Sequence, residues 1–337
     1  MSGVLAGGRR MNLRALGAAC VLAAALVPPP AAAQAPGKVY RVGYLGSVSP
    51  SANKDRIDAF KQGLRELGYV EGGNTLIEYR WAEGDYSRLP ALARELVGRK
   101  PDLIVSTGGR PSLTALRDAT SSIPVVFLGS EPVAAGIVLS LGRPGGNFTG
   151  MDVFSIELDT KRLALLKDAL PKITQIVLLW NPGNPSGLPQ RYRVETAAKT
   201  LGVQVRLVEA RLAKELDAAF AAIASQRPDA LLVTADPMYD SQRHRIVEHA
   251  TRLRLPAIYQ WREFAEIGGL MSYGADLPAL YRRLPLYMDK IFKGAKPAEL
   301  PVEQPTKYEL VINLKSAKSL GLTIAPSVLA RADQLIE

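Results

Sequence analysis

From residue 38 onward, short apolar runs alternate with stretches in which apolar side chains recur every three or four positions. Residues 39–45 predict a strand. Ile57, Phe60, Leu64 and Leu67 then repeat at helical spacing, and Gly68 closes that helix. Residues 76–81 predict a second strand, followed by a helix with Leu89, Leu92 and Leu96 on one face. Residues 102–107 and 124–128 continue the series, with Leu113 and Leu116 marking a third helix between them. The strands are unbroken apolar runs, as expected when helices cover both faces of a parallel sheet.

The pattern then starts again. Residues 38–47 align with residues 172–181 at an offset of 134, and Leu67-Gly68 matches Leu201-Gly202 at the same offset. Residues 101–107 match 228–234 at an offset of 127, both opening on Pro-Asp, and 123–127 match 255–259 at 132, both with proline second. Ordered matches at a nearly constant offset predict two α/β lobes of like topology, each with a parallel sheet. Three pieces connect them: the turn at 143–150, a short strand between glycines at 268–274, and an extended piece at 301–305. A helix capped by Asp276, with Pro278 in its first turn, is expected to run to Gly294. Three crossings between two lobes make a hinge. The expected bounds are 38–151 plus 274–302 for the first lobe and 152–273 plus 303–337 for the second, whose tail holds a strand at 308–314 and helices around Ala317 and Leu329.

The chain is long enough for two such cores, with 337 residues of which 47% are apolar. Its net charge is +10, and it carries one cysteine, Cys20, and two histidines, His244 and His249. No disulfide within the chain and no cysteine-based metal cluster can form. The histidines fall on one predicted helix at i and i+5, well apart around its axis, unlike the i, i+4 pair of a zinc-binding helix. Part of the charge belongs to the start of the chain. Arg9, Arg10 and Arg14 precede the uncharged apolar residues 15–27, then three prolines and Ala31-Ala32-Ala33. This order predicts a secretory signal cleaved after Ala33, because the apolar run is well short of the roughly 20 residues that span a membrane. Removing 33 of 337 residues leaves 304, without cysteine and with three fewer arginines, a net charge of +7, expected in the periplasm.

The remaining basic residues are mixed with acids along the helices, and no helix-turn-helix, zinc or RNA-binding signature accompanies them, so no nucleic-acid partner is expected. No two glycines are separated by a single residue, which excludes a G-x-G-x-x-G fingerprint, and neither a P-loop nor a G-x-S-x-G elbow occurs. Asp236, Asp240, Glu263 and Glu266 are scattered acids, expected to be structural or on the surface. No enzymatic activity, cofactor or metal is expected.

Ligands of parallel α/β sheets sit beyond the C-terminal ends of the strands. Those positions hold Gly46, Ser47 and Ser49, then Thr107, Gly108 and Gly109, then Gly129 and Ser130; in the second lobe they hold Asn181 with the turn through Asn184, Asp236, and Tyr259 to Trp261. Glycines and small hydroxyl residues let backbone N–H groups approach a carboxylate. Trp180, Tyr259, Trp261 and Tyr273 could stack on a flat part of a solute. The expected polar contacts are Ser47, Thr107 and Ser130 from the first lobe, Asn181, Asp236 and Tyr259 from the second, and Tyr273 at the hinge. Asp236 would suit an ammonium group.

Several strings together resemble a known family. They are residues 41–45, Phe60-x-x-Gly63-Leu64-x-x-Leu67-Gly68-Tyr69, the turn from Gly145 to Gly150, residues 255–259, Gly-Gly-Leu-Met-Ser-Tyr-Gly at 268–274, and Ile312-Asn313-x-Lys-x-Ala-x-x-Leu-Gly321. They resemble the ABC-transporter substrate-binding proteins typified by the tryptophan-binding lipoprotein-like members, over essentially the whole mature chain. The resemblance implies a type I periplasmic-binding-protein fold, with two Rossmann-like lobes that close on a small polar or aromatic solute, an amino acid among the options. It also implies an ABC permease and ATPase as partners, a monomer that meets the membrane only through the permease, and no catalysis. The sequence departs from the lipoprotein members at Gly17, where Leu is usual before the cysteine, so a soluble form is expected. A sensory protein that reports to a receptor and an extracytoplasmic α/β enzyme are the alternatives.

Overall fold

The computed structural model describes residues 38–153 and 157–337, so the expected signal segment lies outside the described residues. Two sheets carry the chain. In the first, β1 (Tyr40–Gly46), β2 (Thr75–Trp81), β3 (Leu103–Ser106), β4 (Val125–Gly129) and β5 (Phe148–Asp152) lie in the order 2-1-3-4-5, all parallel. Helices α1 (Lys54–Glu66), α2 (Leu89–Gly98) and α3 (Gly109–Ala119) connect the first four strands. After α4 (Leu158–Ala169), strands β6 (Gln175–Trp180), β7 (Gln204–Glu209), β8 (Ala230–Val233), β9 (Ala257–Tyr259) and β10 (Met271–Gly274) take the same relative order, 7-6-8-9-10. Their connections are α5 (Gly187–Thr200), α6 (Leu216–Gln226), the short α7 (Pro237–Ser241), α8 (Arg243–Arg252) and the short α9 (Arg262–Glu266). The sequence duplication is thus a duplication of topology.

The matched residues do matched work. Asp102 accepts a bond from Arg41 N (2.8 Å) and gives its own N–H to Arg41 O (2.8 Å); Asp229 does the same with Gln175 (2.9 and 2.9 Å). Pro124 O accepts from Ile104 N and Pro256 O from Leu231 N, both at 2.8 Å. Gly68 and Gly202, with φ of 81° and 62°, end α1 and α5 in the left-handed conformation that glycine adopts without strain.

The chain passes between the sheets three times. It leaves the first after β5, leaves the second after β10, and returns through residues 303–308, where Glu303 bridges Met151 and bonds Asp152 N (2.9 Å). Between the last two passages runs α10 (Leu277–Phe292), capped by the Asp276 carboxylate on Ala279 N (3.0 Å) and ending two residues before Gly294. It packs along α1 at Gly63, where an added Cβ would lie 2.1 Å from Arg282 O. The returning strand β11 (Glu309–Asn313) pairs antiparallel with β10, contrary to the expected parallel sheet. It enters from the end through which β10 leaves, so it must run the other way. Two short helices, α11 (Leu314–Leu320) and α12 (Pro326–Leu329), lead to β12 (Gln334–Ile336), a strand not anticipated, which lies parallel to β11.

Candidate functional site

The C-terminal ends of both sheets line one cavity of about 700 Å3, its mouth included. Ser47 follows β1, Thr107 and Gly108 follow β3, Ser130 follows β4, Asp236 follows β8 and Trp261 follows β9. All six line the cavity. The other four expected residues do not. Gly46 faces the Trp81 ring, 2.3 Å from where its Cβ would stand, so it makes room for that side chain inside the first sheet's packing. Asn181 is buried and shapes its own turn, its Oδ1 accepting from Gly183 N at 2.8 Å. Tyr259 stacks on Phe264 in the core, ring centroids 4.7 Å apart. Tyr273 is half-buried at the second crossing, beside the Tyr308 ring, while its carbonyl accepts from Arg162 Nε at 2.8 Å.

On the first-sheet side the turn into α3 is tightly drawn. Ser47 Oγ donates to Gly108 O at 2.6 Å, and the Thr107 hydroxyl bonds the Tyr44 hydroxyl, also at 2.6 Å. Gly108 caps α3, whose N-terminal end and second residue, Arg110, face the cavity. Arg110 Nη1 pairs with the buried Glu131 at 3.8 Å, and Glu131 also pairs with Arg193 Nη2 at 2.5 Å, so two guanidinium groups share this carboxylate beside the positive end of α3.

On the second-sheet side the centre is Asp236. It caps α7, accepting from Met238 N (2.9 Å) and Tyr239 N (3.3 Å), and takes further bonds from Tyr86 Oη (2.9 Å) and Asn184 Nδ2 (2.7 Å). Burial pushes its carboxyl above the ordinary range, against the pull of the Asn184 and Tyr86 bonds. The acids expected to be scattered are therefore partly gathered: Asp236 and Asp240 both line the cavity, and Glu263 stands behind them beside Arg56. Only Glu266 keeps the expected surface place, paired with Arg262 at 2.9 Å. Of the histidines, His244 is exposed, whereas His249 is buried between the Phe220 ring and Asp217, 2.9 Å away.

Arg56, Arg110 and Tyr281 line the cavity without having been expected there, and Asp240 was expected only as a structural or surface acid. One signal was legible for Arg56. It shares the buried stripe of α1 with Phe60 and Gly63, and a charge on an apolar stripe needs a partner from elsewhere.

A cleft of this composition between two sheets of duplicated topology is built to hold a small molecule, and comparison with known proteins agrees. The model of the ABC transporter substrate binding protein family matches residues 41–336. The chain belongs to this family. Among relatives of this substrate-binding protein, a tyrosine-binding protein from Clostridioides difficile (strain R20291) is 27% identical over 275 residues, covering 81% of this chain and 78% of that one. An ABC domain from Streptococcus pneumonia, solved in complex with L-Trp, superimposes with a TM-score of 0.80 at 28% identity, over 89% of this chain and 100% of that one. A conserved domain protein from Vibrio cholerae O1 biovar El Tor gives 0.81 at 29% identity, over 88% and 100%. The family is one of extracytoplasmic binding proteins rather than of enzymes. Among the described residues, no helix is long and apolar enough to cross a membrane and no cluster of His, Cys, Asp or Glu is placed to hold a metal ion.

Proposed function

We propose that this chain is the periplasmic solute receptor of an ABC importer and that its solute is an aromatic α-amino acid. The observation that carries the reading is opposed charge within one cavity, Arg110 with the start of α3 on one side and the buried Asp236 on the other. A zwitterion offers a carboxylate to the first and an ammonium group to the second. An ammonium beside Asp236 offsets the cost of keeping that carboxylate ionised in a buried place. Trp261 and Tyr281 supply ring faces for an aromatic side chain, and relatives that bind tyrosine and tryptophan support the same class. The lobes, 38–151 plus 274–302 and 152–273 plus 303–337, close on the solute because only the closed state touches it from both sides. The monomer, freed of its signal at Ala33, then hands the solute to a permease driven by an ATPase, without chemical change.

Titration calorimetry of the signal-free protein with L-tyrosine and with L-tryptophan tests this. One-to-one binding of at least one is expected, and Asp236→Asn should weaken it by about tenfold or more. Asparagine still caps a helix, so α7 is retained in that variant. No heat from any amino acid in a full panel, or undiminished affinity in Asp236→Asn, would overturn the reading.

A further inference from the structure

In the wall of the cavity, charged groups from elements of the two sheets bond to one another. Arg56 projects from α1, a helix of the first sheet. Its Nη2 donates to Asp240 Oδ1 at 3.0 Å and its Nη1 bonds Oδ2 of the same carboxylate, on α7 of the second sheet. Glu263, on α9 of the second sheet, lies 3.6 Å from Nη2. The Arg56 and Asp240 side chains are only 9% and 7% exposed. Burial works against the charge on Arg56, but the two carboxylates outweigh it and hold the guanidinium above its ordinary value. A second bridge stands nearby. Tyr86, after β2, gives its hydroxyl proton to Asp236 and accepts from Met238 N at 3.0 Å.

We propose that Arg56 is a positioning residue for closure: with Asp240 and Glu263 it forms a latch across the cleft, made of protein atoms alone, that biases the open–closed balance before a solute adds its contacts. The proposal rests on the closure of two lobes argued above. Both outer nitrogens of Arg56, which lines the cavity, are bonded to or beside carboxylates of the opposite sheet, so this guanidinium is engaged across the cleft before any solute is present. Opening returns all three charges to water. Removing Arg56 while the cleft stays shut would leave the buried Asp240 carboxylate without its two-pronged partner and Glu263 with Arg243 alone as counter-charge, an unfavourable state that the molecule escapes by opening. A smaller closed fraction lowers apparent solute affinity in the same proportion. Lysine keeps the charge but not the two-pronged geometry, so Arg56→Lys should fall between.

The signal-free chain has no cysteine, so Ser87→Cys and Lys214→Cys can carry a pair of nitroxide labels for pulsed electron–electron distance measurement. Both positions are exposed, Ser87 after β2 of the first sheet and Lys214 before α6 of the second, and the two segments face each other closely enough for Lys214 to act on the carboxyl of Asp85. Without solute, the short-distance fraction should fall by about threefold or more in Arg56→Met and less in Arg56→Lys, with melting temperature confirming that each variant is folded. Identical solute-free distributions in Arg56→Met and the parent overturn the latch. L-Tyrosine and L-tryptophan are then added. If Arg56→Met opens the cleft but neither amino acid shortens the distance, the latch stands and the amino-acid reading fails. If the amino acids shorten it and Arg56→Met changes nothing, the latch fails and that reading stands.

Discussion

At Gly108 a single hydrogen atom in place of a methyl group lets the site exist. Its φ of −84° is open to any residue, so the constraint is space rather than backbone conformation. A Cβ there would stand 2.2 Å from Ser47 Oγ, 2.7 Å from Ser47 N and 2.8 Å from Ser112 Oγ. Gly68 is the converse, with φ of 81° and nothing within 4 Å of an added Cβ. Gly108→Ala overpacks a wall of the cavity, a fault that costs about 1–3 kcal/mol, and pushes Ser47 away from the start of α3. Gly68→Ala strains a left-handed turn remote from the cavity, by about 1 kcal/mol. Both should therefore lower the melting temperature by a few degrees, while only Gly108→Ala should weaken binding of L-tyrosine or L-tryptophan, by about tenfold. Calorimetry that found parental affinity in Gly108→Ala would show that the contact with Ser47 does not shape the site.

At the scale of elements, the repeated Pro-Asp is the clearest case of a sequence feature with a physical cause. Asp102 and Asp229 each tie the start of one strand to the N–H of its neighbour, and Asp229 does more, accepting from Thr174 N (2.7 Å), Gln175 N (2.9 Å) and Thr174 Oγ1 (3.1 Å). Those backbone bonds hold its carboxyl below the ordinary range. A lowered value in the folded state gives stability that is present above the unfolded value, near pH 4, and is lost as pH falls through the folded one. Asp229→Ala should thus cost about 1–2 kcal/mol at neutral pH, more than Asp102→Ala, and the gap from the parent should narrow as denaturant melts are repeated below pH 4. A gap that stayed constant with pH would mean that charge plays no part. Elements with such local signals were legible in sequence: the apolar runs of β1, β3 and β4, the stripe of α1, the Asp276 cap. β12 was not, because three residues with one partner strand are fixed by tertiary pairing and not by their own pattern. The site divides in the same way. The strand-end rule brings Ser47, Thr107, Gly108, Ser130, Asp236 and Trp261 to the cavity wall, but it locates a segment without saying which way a side chain faces, so it also returned Tyr259, which points into the core. Arg56 and Asp240 meet across a separation of 184 residues, which no local pattern encodes.

At the scale of the whole molecule, the apolar core shows how far the two sheets depend on each other. Two of its three clusters serve one sheet each, but the largest joins Tyr44 and Phe60 of the first sheet to Val177, Met238, Tyr239 and Trp261 of the second, with Leu277 and Leu280 of α10 beside them. Opening the cleft must part this cluster where it borders the cavity, and Trp261 stands on that border, lining the cavity while only 6% exposed. The chain has three tryptophans, Trp81, Trp180 and Trp261. Trp180 is buried in the second sheet's own cluster, and Trp81, at the edge of the shared cluster, has its ring contacts with Tyr44 and Tyr79 of the first sheet, so of the three only Trp261 lines the cavity. Excited where tyrosine does not absorb, the emission of the signal-free protein should move to shorter wavelength on addition of L-tyrosine, as closure removes water from the Trp261 ring. Trp261→Phe should abolish that shift while calorimetry still records binding, weakened by a few-fold through the loss of ring contact. A shift that survives in Trp261→Phe would place the motion elsewhere, and would mean that the shared cluster stays intact when the solute binds.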